Sequence, residues 1–149
     1  MIQKNILRIR QEIALVCKKI GRDPKEITLV AVTKSADLNA IKQVIAAGIS
    51  DVAENRVSEV QEKFSALGYI RRHLIGHLQT NKVKDAIAVC DLIQSVDSLK
   101  LVLEIQKQAN KINRSVDILV QVNTSGEPQK FGVTKTQALE LVGKIKECP

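Results

Sequence analysis

Apolar residues early in the chain fall at Ile2, Ile6, Ile9, Ile13, Val16 and Ile20. Steps of four and three predict one amphipathic helix, closed by Gly21 and followed by Pro24. The period then changes. Ile27 to Thr33 is a β-branched run that is apolar on both faces, which predicts a strand covered on both sides, as in a parallel sheet. It ends at Lys34. Asp37 is placed to cap a helix carrying Leu38, Ile41, Val44 and Ile45, stopped by Gly48. The alternation continues with a strand over Ile49 to Ala53, ending in Glu54-Asn55, and a helix through Val57, Val60 and Phe64. A strand His73-Leu74-Ile75 ends in Gly76-His77 and leads to a helix from Thr80 to Val89. Leu92-Ile93-Gln94 predicts a strand ending in Ser95, with Asp97 capping a helix through Leu101 and Ile105. Val116 to Val122 is the last strand, ending in Asn123-Thr124-Ser125-Gly126. A loop to Gly132 precedes a helix with Ala138, Leu139, Val142 and Ile145.

An opening helix and five strand–helix units argue for an α/β fold with a parallel sheet and right-handed crossovers. Two architectures fit the pattern: a doubly wound sheet, and part of a (β/α) TIM-type barrel. Both put their ligands at the C-terminal ends of the strands.

Composition narrows the class without choosing the fold. The 149 residues are enough for one domain, expected to span the whole of 1–149. Hydrophobic residues are 44% of the chain, too many for a disordered segment. Aromatic residues are only 2%, so the core is built from Ile, Val, Leu and Ala, and there is no stacking platform for single-stranded bases. The net charge of +7 is spread over both halves, with 13 positive and 8 negative residues in 1–75 and 10 and 8 in 76–149. Binding of nucleic acid is therefore not the expectation. Cys17, Cys90 and Cys148 are widely spaced and read as free thiols of a reducing compartment. The longest apolar run, Leu29 to Val32, is far short of a membrane span, and the start is not a secretory signal. A cytoplasmic protein without a membrane partner is expected.

The positions after the strands are Lys34, Glu54-Asn55, Gly76-His77, Ser95 and Asn123. Lys34 is the sharpest of them. An amine held in a partly desolvated mouth is a nucleophile for aldehydes, whereas a lysine on an open loop is only solvated. Asn55 and Asn123 offer hydrogen bonds to a ligand, or else serve turns and caps. His77 either contacts a ligand ring or caps the following helix. Glu54 balances Lys34 or bonds a loop backbone. Gly126-Glu127-Pro128 reads as a turn, and Arg71-Arg72 as a solvated strand entrance at the far end from the site.

The run Glu26 to Lys34 resembles the segment that carries the cofactor lysine in the pyridoxal phosphate homeostasis family, whose members are similar to the N-terminal barrel domain of alanine racemase. The resemblance continues through Glu54-Asn55, His73 to Lys82, Ser95-Val96-Asp97-Ser98, Gln121-Val122-Asn123, Glu127 and Lys130-Phe131-Gly132. It covers essentially the whole chain, and Ile75 to Lys82 is its most specific stretch. The resemblance implies a TIM-type barrel, here an N-terminal helix and about five βα units of eight. It also implies pyridoxal 5′-phosphate (PLP) as cofactor, held as a Schiff base on Lys34, with Asn55, His77, Ser95 and Asn123 at the same site. The implied role is PLP homeostasis without known catalysis, with PLP-dependent apo-enzymes as candidate partners. A racemase-type enzyme is the alternative, and a basic module for RNA or acidic partners is a weaker one. Ala53 stands where the family usually has Gly. Family members are longer, and the three units missing after Pro149 would bring the phosphate-binding loops and an arginine for the pyridine nitrogen. Five units also leave Ile27–Thr33 and Val116–Val122 as unpaired edges, so a chain of this extent is expected to be marginally stable or to pair with another chain.

Overall fold

The computed structural model describes residues 1–64 and 67–148. Helix α1 spans Ile2–Ile20 and ends on Gly21, whose left-handed backbone lets its N–H reach the Cys17 carbonyl. Five βα units follow: β1 Val30–Val32 and α2 Leu38–Ala46, β2 Asp51–Glu54 and α3 Val57–Phe64, and β3 Arg71–Leu74 and α4 Val83–Val89. The last two are β4 Leu92–Val96 with α5 Leu99–Lys111, and β5 Asp117–Val120 with α6 Lys135–Lys146.

All neighbouring strands pair in parallel, in the order β1-β2-β3-β4-β5. A doubly wound sheet needs a point where the order reverses, and this one has none. Sequential order is the arrangement of a TIM-type barrel. The core lies between the sheet and its helices. Val52, Leu74, Ile93 and Val96 project from the strands onto Ile41, Phe64, Ile87, Leu101 and Ile105. Cys17 and Cys90 are buried free thiols, Cys148 is half-buried, and burial pushes the Cys90 thiol up to about 12. Among the described residues, no helix is long and apolar enough to cross a membrane.

The strand boundaries differ from the sequence expectation, for local reasons. The expected strand Ile27–Thr33 pairs only over Val30–Val32. Asp23 caps a short 3₁₀ turn at Pro24–Glu26, and the chain reaches β2 only at the pairing of Val30 with Asp51. β3 begins two residues earlier than expected, so Arg71 and Arg72 are half-buried strand residues rather than a solvated entrance. Arg71 reaches Asp117 on β5, and the Arg72 N–H donates to Asp91 at 2.9 Å. β4 runs on to Val96, which places Ser95 inside the strand instead of after it. The expected last strand Val116–Val122 shortens to Asp117–Val120, while Val122 bridges to Val133 in the following loop. Ser98, not Asp97, caps α5: its hydroxyl accepts the Leu101 N–H at 3.3 Å.

Candidate functional site

Each strand hands the chain to a loop at the same end of the sheet, and those loops carry the candidate residues. After β1, the Ala36 N–H donates to the Thr33 carbonyl at 2.9 Å, making a tight turn with Lys34 and Ser35 at its centre. Ser35 has φ +64°, a region that residues with a β-carbon rarely occupy. Lys34 is exposed and forms no ion pair among the described residues. Glu54 does not balance Lys34. It is fully buried, and its Oε1 accepts from Lys63 at 2.9 Å and from the Thr33 hydroxyl at 2.7 Å. For Lys63, burial works against the charge, but hydrogen bonds to Glu54 and Glu59 outweigh it and raise its pKa above the ordinary lysine value.

Asn55 follows β2 and is exposed. The β3 loop passes very close to it: a β-carbon on Gly76 would lie 2.1 Å from the Asn55 carbonyl oxygen, so only glycine fits there. His77 does not cap a helix. Its ring stacks on Phe131 with centroids 3.8 Å apart and planes 11° from parallel, and its Nδ1 lies 3.4 Å from Asp97 Oδ2. Asn55 and His77 both line a cleft of about 440 Å³, together with Arg56, Gln61, Gln79 and Lys82. Lys34 does not line this cleft.

Asn123 uses its amide within its own loop. Nδ2 donates to the carbonyls of Glu127 at 2.9 Å and Lys130 at 3.2 Å, while Oδ1 accepts from Gly126 N at 3.0 Å and Ser125 Oγ at 3.2 Å. Gly132, at φ +114°, packs so tightly that a β-carbon would sit 2.8 Å from Asn123 N. The amide therefore shapes the loop that sets Phe131 on His77. Ser95 is fully buried, and its hydroxyl has no hydrogen-bond partner among the described residues.

The structure thus puts Lys34, Asn55, His77 and Asn123 in loops at one end of the sheet, and Ser95 buried in β4, one residue from that same end. Phe131, Asp97 and Lys63 were missed as site residues. Phe131 lies in a stretch already singled out as Lys130-Phe131-Gly132, and being one of two phenylalanines was a usable signal. For Lys63 the local signal was Glu59, four residues earlier on the same helix, whereas Glu54 and Thr33 lie outside that helix.

Comparison with known proteins shows the same fold and a family. A pyridoxal phosphate homeostasis protein of Aquifex aeolicus is 35% identical over 148 residues, covering 98% of this chain and 65% of its own length. The chain thus spans about 65% of the curated relatives it matches. A solved structure of an unknown protein from Bifidobacterium adolescentis superposes with a TM-score of 0.87 at 33% identity, over 97% of this chain and 63% of that one. PipY of Synechococcus elongatus, solved with PLP bound, superposes with a TM-score of 0.82 at 26% identity, over all of this chain and 66% of that one. The family model described as alanine racemase, N-terminal domain, matches residues 5–149, and the chain belongs to that family.

Proposed function

We propose that this chain binds PLP as a Schiff base on Lys34 and serves its intracellular homeostasis rather than catalysis. The observation that carries the reading is the Lys34 turn: an exposed, unpaired amine among the described residues, set after β1 in a backbone held by the Thr33–Ala36 hydrogen bond. PLP supplies an aldehyde that a neutral lysine amine takes up with loss of water. Lys34 is the anchor. Asn55 and His77 offer polar and ring contacts at the same end, and Asn123 holds the loop that brings Phe131 there. Ser95, one residue from the same end of β4, keeps a place in this set with a buried hydroxyl that has no partner among the described residues.

The names of the relatives support homeostasis, and PipY supports PLP as the ligand. A racemase needs a second acid–base group across the ring. The single tyrosine, Tyr69, is fully exposed before β3, at the wrong end of the sheet. PLP-dependent apo-enzymes as recipients, and the cytoplasm as location, follow from the same reading. The test is an absorbance titration with PLP, borohydride reduction and peptide mapping, with Lys34→Ala alongside. The expected result is one reduced label at Lys34, absent from the variant. A label scattered over surface lysines, or one that persists in Lys34→Ala, overturns the reading. A parallel amino-acid racemisation assay is expected to stay at background.

A further inference from the structure

Behind the Lys34 turn lies a charged cluster that the cofactor reading does not use. Glu54, the last residue of β2, is completely buried. Its Oε1 takes two hydrogen bonds, and its Oε2 has no partner among the described residues. Lys63, on α3, is the cation that meets it. An ammonium has three protons to donate, and Lys63 has three acceptors in reach: Glu54 Oε1 at 2.9 Å, Glu59 Oε2 at 3.1 Å and the Thr33 carbonyl at 3.2 Å. That third acceptor is the one that closes the Lys34 turn by taking the Ala36 N–H. The Thr33 hydroxyl is bound to Glu54 as well. The carbonyl and the hydroxyl of the residue preceding Lys34 are therefore tied to this cluster, while the residue following it sits in a disfavoured backbone region.

A buried ion pair is a poor source of net stability, because desolvation offsets the attraction. Its better-attested use is to hold one arrangement against others. We propose that Lys63 is a positioning residue for Lys34: held by Glu54 and Glu59, its ammonium grips the Thr33 carbonyl and keeps the strained turn that presents the Lys34 amine. The Lys34 readout below rests on the PLP reading; the amide readout does not.

The test compares the wild-type chain with Lys63→Arg and with the double variant Glu54→Gln/Lys63→Met, which removes the grip without stranding a buried charge. PLP labelling at Lys34 is read by borohydride trapping, and the Ala36 amide by hydrogen exchange. Loss of a charge-assisted hydrogen bond corresponds to a change on the order of tenfold. The double variant is expected to show that loss in labelling and a matching rise in Ala36 exchange. The Val52 and Leu74 amides should be unaltered, and Lys63→Arg should stay within about threefold of wild type. Wild-type labelling and Ala36 exchange in a folded double variant overturn the proposal. So does exchange raised uniformly across the sheet, which would make the cluster a general stabiliser. If the wild-type chain takes no label at Lys34, the PLP reading fails and Ala36 exchange alone decides this one. If the double variant does not fold, Glu54→Gln alone is expected to accelerate Ala36 exchange several-fold, and no change there overturns the proposal.

Discussion

His73 is the single side chain with the clearest pH signature. It is buried in β3, with Nε2 3.0 Å from Asp51 and Nδ1 2.8 Å from the Gln94 amide. The neutral ring satisfies both neighbours, donating to Asp51 and accepting from Gln94; a second proton sets donor against donor at Gln94. Burial pushes the imidazole below its ordinary value of 6.5, with Asp51 pulling the other way. Between the folded pKa and 6.5 the unfolded chain therefore binds more protons, so this contribution is complete above 6.5 and is lost as pH falls through the folded value. The urea denaturation midpoint is expected to fall as the pH is lowered below 6.5, and His73→Asn should flatten that part of the slope. An identical slope in the variant would place the titration elsewhere. Hydrogen bonds hold Glu59, Glu104 and Glu127 below the ordinary carboxyl value of 4.5, so they act in a separate window that starts near that value. At this scale the sequence was only half legible. Lys34 stood out because it directly follows an apolar run. Pairing Glu54 with Lys34 was wrong because the true partner depends on which way α3 turns Lys63, a phase that spacing does not encode.

Helix stops and starts were readable where one residue type has one backbone use. Gly21 and Gly48 end their helices at positive φ, and Asp37 caps α2 by accepting from Ala40 N at 2.7 Å. Strand ends were not readable, because a parallel strand ends where its neighbour stops pairing. That is why Ser95 was expected after β4 and lies within it. The same distinction separates two glycines. Gly76 sits where a β-carbon would meet the Asn55 carbonyl at 2.1 Å, whereas Gly143, inside α6, has nothing within 4 Å. Gly76→Ala is expected to destabilise by about 1–3 kcal/mol through the forced backbone shift. Gly143→Ala should stabilise by about 0.5–1 kcal/mol through helix propensity. Urea denaturation of both variants checks the pair, and a neutral Gly76→Ala would mean the two rim loops are not locked together.

For the whole molecule, five βα units were visible in the alternation of apolar runs, but their order in the sheet was not. Periodicity fits a doubly wound sheet as well as a barrel, and only the sequential pairing, together with the family resemblance, separates them. That order has a physical consequence at the margins. Among the described residues β1 pairs only with β2 and β5 only with β4, leaving a row of backbone groups unpaired by any described strand on each outer side. Val32 is 52% exposed on one edge strand and Leu119 50% exposed on the other. Unpaired, apolar, β-branched edges are templates for further strands, and natural proteins commonly blunt such edges with lysine. The 149-residue chain is therefore expected to self-associate as its concentration rises, visible as a growing sedimentation coefficient. Val32→Lys with Leu119→Lys should shift it towards the monomer while leaving the helical circular dichroism unchanged. A wild-type chain that stays monomeric over the same range would show that the edges are covered by some other means and would remove this expectation.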